Sequence, residues 1–136
     1  MQPEDSSVQN NEFIFPNGDM YVGEYIKRVD RSVMRQGSGV YTSHTGFKLE
    51  GIWVKDKMEG RGRASFKSGA EYKGLFVDSK FSGEGVYTLP NGATIEGKFD
   101  GNKITGSVVF TDKNGLRWLG EFNDLKNIET LELELT

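Results

Sequence analysis

Residues 69–91 read GAEYKGLFVDSKFSGEGVYTLPN, and this 23-residue stretch sets the period of the chain. Gly46, Gly69, Gly92 and Gly115 lie 23 residues apart, as do Gly51, Gly74, Gly97 and Gly120. Gly37, Gly60, Gly83 and Gly106 form a third series, and Gly39, Gly62 and Gly85 a fourth. Gly18 and Gly23 open the first two series, displaced by five residues. Seventeen of the 18 glycines are placed in this way, and Gly101 alone falls outside. A fixed period of this length marks a repeat architecture, in which each unit buries its apolar face against its neighbours.

Bulky residues keep the same step. Three residues after the turn glycine stand Tyr21, Leu49, Tyr72, Ile95 and Trp118; seven after it stand Tyr25, Trp53, Phe76, Phe99 and Phe122. Pro16-Asn17-Gly18, Pro90-Asn91-Gly92, Lys113-Asn114-Gly115, Lys67-Ser68-Gly69 and Thr45-Gly46 occupy one turn slot. Proline suits the first corner of a type I turn and glycine a following left-handed residue, which together close a three-residue hairpin loop. This register predicts the pairs Leu89 with Ala93, Tyr87 with Ile95, Phe13 with Tyr21, Tyr41 with Leu49 and Phe110 with Trp118. At the opposite end the strands meet through Val77-Asp78-Ser79-Lys80 and Asp100-Gly101-Asn102-Lys103. Counting back from those turns predicts Phe76 opposite Phe81, Tyr72 opposite Gly85, and Ile95 opposite Val108. Alternation puts both bulky series on one face. The other face collects Glu24, Glu50, Lys73, Glu96, Lys98 and Glu121 with some Val, Ile and Leu.

With Tyr72, Gly74, Phe76, Gly83, Gly85 and their copies one period away, residues 12 to 123 resemble the MORN (membrane occupation and recognition nexus) repeat family. The expected fold is all-β: an elongated, single-layer antiparallel β-meander of about five 23-residue MORN hairpin repeats, curled by its glycine pairs into an open trough. Family members usually carry glycine at the third position of the four-residue turn, where this chain has Asp56, Ser79 or Asn102. Asn and Asp tolerate left-handed backbone better than most residues, so the departure is mild. The first unit has five extra residues within the segment from Ile26 to Gln36, which reads as a longer hairpin tip. Residues 1–11 are expected to be disordered, 12–127 to form the array, and 128–136 to form a terminal strand or cap, because Leu131, Leu133 and Leu135 alternate with Glu132 and Glu134.

Composition closes several functional classes. The 136 residues carry 17 basic and 20 acidic side chains, a net charge of −3, which argues against nucleic-acid binding. There is no cysteine, so no thiolate nucleophile, zinc–thiolate site or disulfide, and the single histidine, His44, excludes a His-rich metal centre. No apolar run approaches a membrane span and no signal peptide is seen, so a cytoplasmic setting is expected. His44 lies in a turn with no acid/base partner nearby in sequence, which predicts an exposed structural role. Gly60-Arg61-Gly62 lacks the third glycine and the helix of a phosphate-binding loop. Glu50, Glu96 and Glu121 recur by repeat position rather than as a catalytic pair, and Asp56 and Asp78 lie on separate turns without a calcium-loop pattern. No catalytic residue, metal or cofactor is predicted.

A single-layer sheet leaves its rings exposed unless something covers them, and large apolar patches mark interaction sites. The predicted partner-binding residues are Tyr21, Tyr25, Trp53, Tyr72, Phe76, Phe99, Trp118 and Phe122. The competing reading is that the rings stack on one another to hold the hairpins together. The family resemblance implies a non-catalytic scaffold or adaptor that grips a helix or extended peptide from a protein partner. It also implies association with cytoplasmic vesicles, cilia and male germ cells, including the acrosome, and with phagocytosis. Two alternatives are weaker contact with anionic membranes through Lys27, Arg28, Arg31 and Arg35, at about 1 kcal/mol per basic residue, and homodimerisation through a terminal edge strand.

Overall fold

The computed structural model describes residues 8–128 and Leu131. Ten strands follow one another in a single antiparallel sheet: β1 (Gln9–Ile14), β2 (Met20–Lys27), β3 (Val33–Thr42), β4 (Lys48–Val54), β5 (Lys57–Ser65), β6 (Glu71–Val77), β7 (Lys80–Thr88), β8 (Thr94–Asp100), β9 (Lys103–Thr111) and β10 (Arg117–Asn127). Each strand pairs only with its sequence neighbours, so the sheet is an open meander and not a barrel.

Both kinds of connection follow from their residues. At the glycine-bearing turns, Leu89 N–H donates to Ala93 O at 2.8 Å and Gly92 N–H to Leu89 O at 2.9 Å. The same two bonds recur at Phe15/Gly18, Ser43/Gly46, Phe66/Gly69 and Asp112/Gly115. Gly92 has φ +92°, the left-handed conformation that this loop requires. The opposite turns have two residues, both left-handed: Lys55 and Asp56 (φ 48° and 70°), Asp78 and Ser79 (52° and 64°), Gly101 and Asn102 (56° and 73°). This is the type I′ geometry that matches strand twist. The inserted tip between β2 and β3 closes like a glycine-bearing turn, with Arg28 N–H donating to Ser32 O and Arg31 N–H to Arg28 O; Arg31, φ 71°, takes the glycine's place.

The second residue of each two-residue turn also ties neighbouring repeats together. Asp56 accepts from Arg35 N–H at 2.8 Å and returns its own N–H to Arg35 O at 3.1 Å. Ser79 makes the same reciprocal pair with Met58 (3.0 and 3.1 Å), and Asn102 with Phe81 (2.9 and 3.2 Å). A side-chain oxygen is needed for this staple, so these residues do more than tolerate a left-handed backbone.

The pairs predicted from the glycine-bearing turns are observed: Tyr87 with Ile95, Phe13 with Tyr21, Tyr41 with Leu49 and Phe110 with Trp118. Phe76 pairs with Phe81 as expected, but Tyr72 stands opposite Tyr87 rather than Gly85, and Ile95 opposite Phe110 rather than Val108. The register steps by two between Gly74 and Leu75, and again between Glu96 and Lys98, at β-bulges. Gly83, φ +63°, lies within the first of these irregularities.

The ends of the chain differ from expectation. Strand β1 starts at Gln9, within the segment read as disordered, and pairs Gln9, Asn10 and Asn11 with Tyr25, Glu24 and Gly23; residues 1–7 lie outside the described residues. Where alternation predicts a terminal strand, Ile128 and Leu131 have helical backbone and are buried. Leucine spacing of two and Ile128–Leu131 spacing of three overlap in this segment, and the second spacing places both side chains on one helix face. The other residues of 129–136 lie outside the described residues.

Candidate functional site

One row of side chains crosses all ten strands on one face: Phe13, Tyr21, Tyr41, Leu49, Ala64, Tyr72, Tyr87, Ile95, Phe110 and Trp118, each opposite the next. A parallel row is glycine: Gly23, Gly39, Gly51, Gly62, Gly74, Gly85 and Gly97. The rings lie back over this glycine line. A Cβ on Gly85 would fall 2.5 Å from the Tyr72 ring, and one on Gly39 would overlap the Tyr21 ring. Tyr72 Oη donates to Leu75 O at 2.9 Å and Tyr21 Oη to Glu24 O at 2.5 Å, so each hydroxyl satisfies a backbone carbonyl beside a bulge. Burial pushes both phenols up to about 12, which keeps them neutral donors at ordinary pH. Where the ring position holds an aliphatic residue, another side chain covers the glycines. The Met58 methyl lies against Gly51 and Gly62, and Ile104 and Val108 against Gly97.

The rings therefore pack chiefly on one another. Tyr72 and Phe81 stack at 3.9 Å between centroids and 8° between planes; Phe99 meets Tyr72 edge-on at 4.9 Å, and Phe76 meets it edge-on at 5.3 Å. Tyr21 meets Trp53 edge-on at 5.8 Å. Of the residues predicted to touch a partner, Tyr21, Tyr25, Trp53, Tyr72, Phe76 and Phe99 are buried in the chain's own core. The physical reason is the missing Cβ atoms: rings sink into the glycine line and shield each other without a second layer. Phe122 is half-buried and Trp118 is 58 % exposed. The accessible part of the trough is instead lined by half-buried rings outside the predicted partner-binding set: Phe13, Tyr41 and Phe110, expected only as strand-pair members, and Phe47 and Phe66. Phe47 directly follows a turn glycine and Phe66 directly precedes the loop leading to one, a signal present in the sequence beside the two bulky series.

Cavities open along this face. One of about 440 Å³ is lined by Phe47, Leu49, Phe66, Phe81, Tyr87 and Lys103 among others, and by Ile128. The second, about 390 Å³, lies at the first repeat among Phe13, Phe15, Tyr21, Tyr41, Arg35 and Asp56.

The predicted basic patch divides. Lys27 and Arg31 are exposed at the first tip, whereas Arg35 turns into the trough, where its guanidinium sits 4.5 Å from the Trp53 ring and 5.2 Å from that of Tyr41. Its Nε also reaches Asp56 Oδ1 at 3.3 Å. Arg28 lies against Met34 Sδ at 2.9 Å, and 4.0 Å from Asp56. His44 is 55 % exposed at its side chain, but it does have an acidic partner. Asp19 accepts from His44 N–H at 2.9 Å, lies 2.7 Å from His44 Nδ1, and accepts from Tyr41 Oη. These bonds, led by those from Tyr41 and His44, hold the Asp19 carboxyl well below the usual carboxylate range.

The fold and its concave face define a β-hairpin repeat protein with a ring-lined trough. The MORN repeat model matches residues 34–47, 50–71 and 72–94, so the chain carries MORN repeats at these three segments. Such repeats are generally non-catalytic and commonly serve as protein or membrane interaction modules. No curated protein sequence matches the chain. Among solved structures, the SAS-4 (dCPAP) TCP domain of Drosophila melanogaster, in complex with a proline rich motif of Ana2 (dSTIL), is similar at 14% identity and a TM-score of 0.37, over 89% of each chain.

Proposed function

We propose that the trough is a docking surface for a segment of a protein partner, and that the chain works as a non-catalytic interaction scaffold. One observation carries this reading. Phe47 and Phe66 stay half-buried, their rings 5.3 Å apart, beside a cavity of about 440 Å³, in a sheet that has no second sheet packed on it among the described residues. Aromatic side chains around a concave cavity are what a helix or extended peptide uses as anchor sites. The family resemblance supports a cytoplasmic setting at vesicles or cilia. The test is proximity capture with wild type and with Phe47→Ala and Phe66→Ala. These are preferable to changes at Trp53 or Phe76, which would damage the core. Loss of a captured protein while the β-sheet circular dichroism persists is expected; retention of every captured protein would remove the trough as the contact surface.

A second reading, self-association, is favoured by β10. This edge strand carries Trp118 and Leu119, 58 and 83 % exposed, and Leu116 and Leu125 are also exposed. Light scattering over a concentration series tests it; a constant monomer mass would eliminate it.

A further inference from the structure

Ile128 and Leu131 lie outside the sheet, yet both belong to its core. They are 5 and 6 % exposed and pack in one cluster with Tyr87, Ile95, Ile104 and Val108. Ile128 lines the cavity that Phe47, Phe66 and Tyr87 border. Leu131 lines a separate cavity of about 280 Å³ bordered by Ile95, Val108, Phe110 and Phe122. Tyr87, Ile95, Val108, Phe110 and Phe122 belong to the ring-bearing face of the sheet, and Phe47 and Phe66 flank its strands. The backbone at both positions is helical, and residues three apart on a helix project from one side. The chain has therefore placed two aliphatic side chains on helical backbone against the trough face, Ile128 at the cavity read above as a docking site and Leu131 at the separate one.

We propose that the trough is a receptor for an amphipathic helix bearing two bulky aliphatic side chains one turn apart. Ile128 and Leu131 are the chain's own copy of that ligand, and a partner helix takes the groove by displacing them. This rests on reading the trough as a protein-docking site, and it names the partner's chemistry. The sheet already supplies the rings, so the complementary ligand side chains are aliphatic. The segment IETLELELT at 128–136 has three glutamates and no basic residue, and Lys103 lines the cavity that receives Ile128. An acidic helix suits the site in charge as well as in shape. A tethered ligand acts at an effective concentration on the order of millimolar, so even a weak contact in cis competes with a partner present at micromolar levels.

The test uses the full chain and a fluorescein-labelled peptide of residues 127–136 as the probe, followed by anisotropy. The Ile128→Ser/Leu131→Ser double variant frees the groove and should bind the peptide at least tenfold more tightly than wild type. A peptide carrying the same two serines should not bind. Equal affinity for wild type and variant, or no binding to a variant whose circular dichroism is unchanged, overturns the proposal. If the double variant loses its sheet, Leu131→Ala is judged on the same comparison with a threshold of threefold. The capture experiment judges the docking reading separately. Partner loss on Phe66→Ala without peptide binding would keep the docking site and reject the aliphatic helix as its ligand. Peptide binding without such partner loss would keep the groove's preference and reject the docking reading.

Discussion

The first and second halves of the trough share one backbone and are filled in opposite ways. A single slot, stepped by 23 residues, holds Arg35, Met58, Phe81 and Ile104 in turn. In the first half Arg35 spreads over Trp53 and Tyr41 and is held by Asp56, while Asp19 and His44 add a second polar cluster. In the second half the slot holds Ile104, fully buried near Ile95 and Val108, and Ile128 and Leu131 pack into the same cluster. The repeat fixes where a side chain points; it does not fix its chemistry. A charge is admitted only where the next repeat supplies its partner, and among the staple residues Asp56, Ser79 and Asn102 only the first is a carboxylate.

The sharpest way to break this comparison is to move the charge one repeat along. Met58 is fully buried and Ser79 offers no countercharge, so Met58→Arg should cost about 3–5 kcal/mol in urea unfolding. Adding Ser79→Asp should recover part of that loss; no recovery would mean that the carboxylate is not what admits Arg35. Next in size is Gly85→Ala, which drives a methyl into the Tyr72 ring and should cost about 2–3 kcal/mol. Gly60→Ala meets no atom within 4 Å but is strained at φ +83°, so about 1 kcal/mol is expected. Thermal denaturation of the two variants side by side separates close approach from backbone conformation. Converting the first half toward the second, Arg35→Met should cost about 1 kcal/mol, from the lost ring and Asp56 contacts.

The polar cluster of the first half makes a pH prediction. The folded Asp19 carboxyl lies below its unfolded value of 3.8. Its stabilisation is therefore complete above that value and is lost as pH falls toward the folded one. Urea midpoints of wild type and Asp19→Asn should differ at pH 7 and converge as the pH falls below 3.8. A constant difference across that range would count against the carboxylate as the source. The smallest effect is expected at the first tip, where Arg31 occupies a left-handed position that glycine fills in the other three-residue loops. Arg31→Gly should raise stability by about 0.5 kcal/mol, read from the thermal midpoint.

The sequence made the meander legible because turn chemistry repeats in phase with ring and glycine spacing. Leu89 with Ala93 could be paired from Pro90-Asn91-Gly92 alone, since that loop permits one register. Tyr72 with Tyr87 could not, because a bulge adds no residue type that a count from Asp78-Ser79 would detect, and that count gives Gly85 instead. That the bulky series share one face is legible from alternation, but their burial is not, nor are Arg35's inward turn and the Asp19–His44 pair. Each of these joins residues that are distant in the chain or depends on a rotamer.

Local rules thus determined strand number, order and facing, since hairpins of nearest neighbours need only short-range turn preferences and alternation. Only the tertiary structure decided which rings stay accessible. That depends on how deeply each ring sinks over glycines in neighbouring strands, and on Ile128 and Leu131, whose helical backbone and burial against the trough face no local pattern announces.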